Sequence, residues 1–179
     1  MAHQIHTHTF GREFDVEYAP SLVGYWAVFL RLVVGYWFLM AGLTKYAWFP
    51  GGEAFNAAGW MTGATQGTLV HGFLSWVASV PALLAFTNVM IPLGETLIGL
   101  GVLLGAFVRL ASLFGAFLMA FFYLGNADFA HGYVNSEFMG LVLFVTLIVW
   151  GAGRVYGVDR FIEATATVRR HPWLRYLLG

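Results

Sequence analysis

Cysteine is absent from all 179 residues of the chain. That excludes disulfides, thiolate zinc sites, iron–sulfur clusters and a persulfide carried on this chain's own thiol. Charge is scarce too: Asp, Glu, Lys and Arg make up 10% of the sequence, where soluble domains run nearer a quarter. Nine basic and nine acidic residues cancel, leaving no electrostatic footprint for nucleic acid. No Walker loop, dinucleotide-binding glycine fingerprint or nucleophile elbow occurs in a usable context. Residues 1–18 lack the basic-then-apolar pattern of a cleavable signal peptide, so the first membrane helix is expected to target the chain.

What is present is apolar. Hydrophobic residues account for 59% of the chain, more than one soluble domain of this length can bury, whereas lipid imposes no such limit. Four runs approach the roughly 20 apolar residues that a membrane crossing needs: 21–44, 81–104, 107–124 and 135–152. Backbone polar groups must be satisfied internally in hydrocarbon, and strand-like alternation is missing, so each run reads as a helix. The expected fold is an all-α membrane protein, a four-transmembrane-helix bundle with an interfacial outer loop and a C-terminal amphipathic helix. The expected organisation is an N-terminal arm at 1–20, the bundle at 21–157 and a tail at 158–179. With four spans, Arg12, Arg109, Arg154, Arg160, Arg169, Arg170 and Arg175 share one side and Lys45 stands on the other. The positive-inside rule then puts both termini in the cytoplasm of a multi-pass cell-membrane protein.

The connections differ in kind. Spans two and three join through a tight turn at Gly105-Ala106. The first outer loop, 46–80, is long and carries Trp48, Phe49, Phe55, Trp60, Phe73 and Trp76, which suit the membrane interface. It reads as two short helices, at 53–61 and 68–78, forming either a plain cover or a lid over a site. Residues 13–18 alternate like a strand, as a hairpin arm or a docking segment would. The segment 158–178 sets Phe161, Ile162, Val168, Trp173 and Leu177 among arginines, an amphipathic pattern broken near Pro172. Glycines within the spans read as ordinary close helix packing.

Two ionisable residues fall inside spans, where charge is costly. Arg31 lies ten residues after Ser21, and Glu95 ten before Gly105. Measured from those ends, both sit about 15 Å deep, which predicts an Arg31–Glu95 ion pair facing the interior. Such a pair either anchors a bound head group and handles protons or fixes helix register. Asn88 lies seven residues before Glu95 on the same helix face and extends the polar track. A second cluster of Lys45, Glu137, Asp128 and His131 is expected near the outer surface, as a binding mouth or a solvated salt-bridge cluster. His3, His6 and His8 stand in the tail, and no span holds a central histidine. Neither a metal site nor haem is expected.

The first span, from Leu30-Arg31 through Gly35-Tyr36-Trp37-Phe38-Leu39 and Gly42 to Thr44-Lys45, resembles the opening of the DoxX/DoxD family of small membrane proteins. The stretch Gly94-Glu95 and the turn Gly105-Ala106-Phe107-Val108-Arg109 resemble its second span and the turn that follows. The exit Gly151-Ala152-Gly153-Arg154 through Val158-Asp159-Arg160 resembles its usual close. The N-terminal arm and the ending Trp173–Gly179 look like members from halophilic archaea. The resemblance covers roughly residues 22–162 and implies a four-helix bundle in the cytoplasmic membrane. It also implies a subunit linked to thiosulfate:quinone oxidoreductase activity, working beside a second, DoxA-like or other respiratory subunit or as a homo-oligomer in membrane lipid. With no cysteine, sulfur handling falls to a partner or uses no thiol.

The expectation is therefore an integral membrane subunit of a quinone-linked respiratory oxidoreductase. Arg31 and Glu95 are its expected catalytic groups. The head group is expected among Arg31, Glu95, Asn88, Tyr36, Phe38, Lys45 and Glu137, with Trp37 or Tyr123 as further walls. Quinone is the expected cofactor. The alternative is a non-catalytic accessory or scaffold subunit of a larger respiratory complex. A small-solute transporter ranks last, because inverted-repeat symmetry is not evident.

Overall fold

The computed structural model describes residues 3–9, 12–18, 20–126 and 132–179, with the first twenty residues described as backbone alone. Two strands come first, β1 (His3–Thr9) and β2 (Arg12–Tyr18), paired antiparallel with His3 opposite Tyr18. The arm is thus a hairpin. Four apolar helices follow: α1 (Pro20–Leu43), α3 (Pro81–Leu104), α4 (Val108–Gly125) and α5 (Ser136–Trp150). Local sequence sets their ends. Pro81 opens α3 at a position where a missing N–H costs nothing. Asn135 caps α5 by accepting the Phe138 N–H at 2.9 Å. Gly105, at φ 72°, closes α3 in the left-handed conformation that glycine adopts without strain.

Among the described residues, three helices (Ser21–Leu43, Pro81–Leu104 and Val108–Gly125) are long and apolar enough to cross a membrane. The chain is an α-helical integral membrane protein. The fourth helix, α5, is apolar but has 15 residues, about 22 Å against a hydrocarbon core of about 30 Å.

The helices form a ring in which α1 packs on α3, α3 on α4, α4 on α5, and α5 back on α1. Val34, Phe38, Val102, Val108, Phe144 and Leu147 are buried in its centre. Phe38 meets Phe144 edge to face at 4.6 Å between ring centroids. The α1–α3 seam is closed by small residues: a Cβ on Gly35 would lie 2.6 Å from the Leu103 nitrogen, and one on Gly99 would strike the Leu39 backbone.

These contacts fix a stagger. Gly35 is level with Leu103, Leu39 with Gly99 and Gly42 with Thr96. Rather more than the first half of α1 therefore runs past the end of α3, and as much of α3 runs past the end of α1. Segment 152–179 fills the offset at the Gly105 end of the bundle, termed the inner end for reference, and the loop 44–80 fills the one at the opposite, outer end.

The outer loop has no regular structure over residues 52–57, turns through a π-helical segment (Trp60–Ala64) and continues into α2 (His71–Ser79). The second expected loop helix is present as α2. The first, expected at 53–61, is displaced toward the C-terminus: the Ala57 N–H is taken by Asn88 Oδ1 at 2.8 Å, and helical structure starts only after it. The expected amphipathic tail is divided into α6 (Asp159–Glu163), α7 (Ala166–Arg170) and a 3-10 turn (Pro172–Tyr176). Its last residues fold back so that Leu178 is buried.

Candidate functional site

The stagger separates the two charges expected to pair. Arg31 lies level with the Gly105 turn at the inner end of the bundle. Its Nη1 donates to the carbonyls of Ala152 and Val155 at 3.0 Å each, and its Nη2 to that of Tyr156 at 3.3 Å. Its Nε has no hydrogen-bond partner among the described residues. A Cβ on Gly105 or on Gly157 would come within 2.6 Å of Nη1, so both glycines are needed for the guanidinium to fit. Asp159 completes this centre. Its carboxylate is fully buried and accepts the N–H groups of Phe107, Val108 and Gly179 at 2.6, 2.9 and 2.8 Å. It thereby caps the N-terminus of α4, where a negative charge is favoured. Phe107 and Tyr156, the described non-glycine residues with positive φ (52° and 51°), are both held by this centre. Such conformations cost of order 1–3 kcal/mol each and persist where the surroundings over-determine them.

Glu95 pairs instead with Lys45, Nζ to Oε2 at 2.6 Å. The expected Arg31–Glu95 pair is thus corrected. Its depth argument placed the starts of α1 and the ends of α3 in one plane, and the glycine seam does not. Lys45 sits just past the end of α1, where Nζ also bonds the Ala41 carbonyl at 3.0 Å and lies 5.6 Å from the centre of the Phe55 ring. The Lys45 side chain is 25% exposed and that of Glu95 only 5%.

The pair lines a cavity of about 310 Å³ between the outer parts of α3 and α4, covered by the loop. Phe55, Ala57, Trp60, Met61, Thr87, Ile91, Phe121, Phe122 and Asn126 complete the lining. Trp60 in the π-helical turn closes one side, with Nε1 donating to Asn126 Oδ1 at 2.8 Å and its ring edge-on to Phe122. A second apolar cavity of about 490 Å³ adjoins it and shares Met61, Thr87, Ile91 and Phe121.

The remaining expected residues disperse. Asn88 holds the loop through Ala57 and does not line the cavity. Tyr36 is 60% exposed on the bundle's outer face, with Trp37 near it, whereas Phe38 is buried in the core. Tyr123 donates to the Tyr133 carbonyl at 2.9 Å, away from the cavity. Glu137 does not join Lys45. It bonds Asn126 Nδ2 and Ser136 Oγ, each at 3.0 Å, so it borders the cavity only through Asn126. Asp128 and His131 lie outside the described residues, as do the side chains of His3, His6 and His8. Among the described residues no group of His, Cys, Asp and Glu is placed to hold a metal.

Sequence reasoning missed Asp159, Trp60 and Asn126. Asp159 had a signal, an acidic residue just beyond the last span in a chain with few charges. Trp60 and Asn126 are ordinary interfacial residues by type, and the fold alone brings them together.

A family model described as "TQO small subunit DoxD" matches residues 26–178. No curated protein and no solved structure matches the chain.

Proposed function

Because the chain belongs to the DoxD family, we propose that it is the small membrane subunit of a thiosulfate:quinone oxidoreductase-like complex, with quinone bound beside Lys45 and Glu95. The observation that carries this reading is the presence of that pair in the lining of a largely apolar, aromatic-walled cavity. The residues fit the group. The volume lies at the lower end of the range for small-molecule sites, about 300–1,000 Å³, and such sites are apolar with a few placed polar groups.

Quinone, when bound, supplies a two-electron, two-proton acceptor. Lys45 offers an N–H donor to a carbonyl oxygen, and Glu95 accepts or delivers a proton through a carboxyl oxygen. The partly exposed Lys45 joins the nearly sealed Glu95 to the outer surface. This chain has no cysteine, so a partner subunit handles sulfur or the reaction uses no thiol of this subunit.

The arginines of α4's first turn and of residues 154–175 gather at the bundle end that holds the Arg31 centre. That supports a cytoplasmic position for this end in the cell membrane, with α5 as the fourth crossing.

The test is quinone content. Chain purified gently from its own membrane should carry quinone detectable by mass spectrometry, and Lys45→Ala or Glu95→Gln should lose most of it while remaining folded. Unchanged quinone content in both variants, or none in the parent chain, would remove the reading. The mutual satisfaction of Lys45 and Glu95 at 2.6 Å favours one other role, an accessory subunit whose ion pair sets helix register. That role predicts defective assembly with partner subunits in the same variants.

A further inference from the structure

We infer that the ligand of the Lys45–Glu95 cavity is a neutral head group on a long apolar tail, an isoprenoid-tailed quinone, whose tail lies in the adjoining groove and enters sideways from the bilayer. This rests on the quinone reading above and adds the site of the tail and its route.

The groove is the larger of the two spaces, at about 490 Å³, and no charged residue lines it. It runs between the outer parts of α3 and α4, beneath α2. Phe73, Trp76, Phe86 and Phe117 line it and are more than half exposed, so its open side meets lipid. It meets the head-group cavity at Met61, Thr87, Ile91 and Phe121, which line both spaces. The two spaces therefore suit one molecule with a polar end and an apolar end. A water-soluble substrate has no polar path through this groove. A phospholipid would bring a charged phosphate to a cavity whose one cation and one anion already neutralise each other, and no surplus positive charge lines it. An occupant with a neutral, hydrogen-bond-accepting head fits both ends.

The experiment compares two probes on the full chain in lipid nanodiscs, with empty discs as background. One probe is a tail-less benzoquinone and the other carries the same head on a long isoprenoid tail. The parent chain should bind the tailed probe at least about tenfold more tightly. Met90→Trp, which fills the groove from α3 without touching the head-group cavity, should remove that preference and leave the tail-less affinity unchanged. Leu118→Trp, filling it from α4, should do the same and guards against a folding defect peculiar to either variant. Equal affinity of the parent for both probes, or a preference that survives both substitutions, would overturn the inference while leaving the cavity reading intact. Tightly held phospholipid that neither probe displaces would also overturn it. Binding of neither probe to the parent would take down the quinone reading and this inference together.

Discussion

The bundle buries charge at both ends and treats it differently. At the inner end Arg31 and Asp159 are held by backbone: three carbonyls receive the two terminal nitrogens of the guanidinium and three N–H groups meet the carboxylate. At the outer end Lys45 and Glu95 have one carbonyl and each other, beside an open cavity. A charge bonded to several backbone groups cannot change partner without disturbing the turns it holds. A charge beside a cavity can exchange its partner for a ligand. The first arrangement fastens segment 152–179 to the middle of α1, the end of α3 and the start of α4. The second has the geometry of a site.

The contrast makes predictions of decreasing size. Asp159→Ala should be the most damaging, because it leaves three buried N–H groups unpaired and Arg31 without its counter-charge. Breaking a buried charge arrangement from one side costs about 3–5 kcal/mol, so thermal unfolding in detergent should shift strongly downward, with little folded protein recovered. Arg31→Lys should be milder but still clear, since an ammonium cannot reproduce the fork that reaches three carbonyls. A loss of about 1.5–3 kcal/mol is expected in the same assay, the worth of a charge-assisted hydrogen bond. Glu95→Gln should cost about 1 kcal/mol or less in stability, because Lys45 is partly solvated and the pair is correspondingly screened, yet it should lower quinone content several-fold. Should Glu95→Gln unfold the chain as severely as Asp159→Ala, the division between fastening and site would collapse. Trp60→Phe should be the mildest: it removes one hydrogen bond to Asn126, worth about 1 kcal/mol, and keeps the ring. Faster amide exchange confined to the loop around residues 57–65 would register it.

Helix positions were highly legible. The four apolar runs correspond within two residues at each end to α1, α3, α4 and α5, because hydrocarbon leaves a polar backbone little choice but to bond within its own helix. The Gly105 turn and α2 were legible for similarly local reasons. The unusual residues Arg31, Lys45 and Glu95 stood out as isolated charges in apolar surroundings, and all three mark a buried centre. Their pairing was not legible. Arg31 has a donor fork that any carboxylate would satisfy, and nothing local says that backbone carbonyls of residues 152–156 will fill it. The tail misled for a related reason: an amphipathic pattern specifies an apolar face, not whether lipid or the bundle's own end covers it, and Val168 and Leu178 are covered by protein.

By itself, the sequence determined that this is a helical membrane protein of the DoxD family, where its helices begin and end, and which few charges it buries. Only the tertiary structure decided which charges meet. That choice depends on how far one helix slides along its neighbour, and the slide is set by two backbones touching at Gly35 and Gly99. A shift of one turn moves a side chain about 5 Å, more than the reach of a hydrogen bond, so partners follow from packing register rather than from position along the chain.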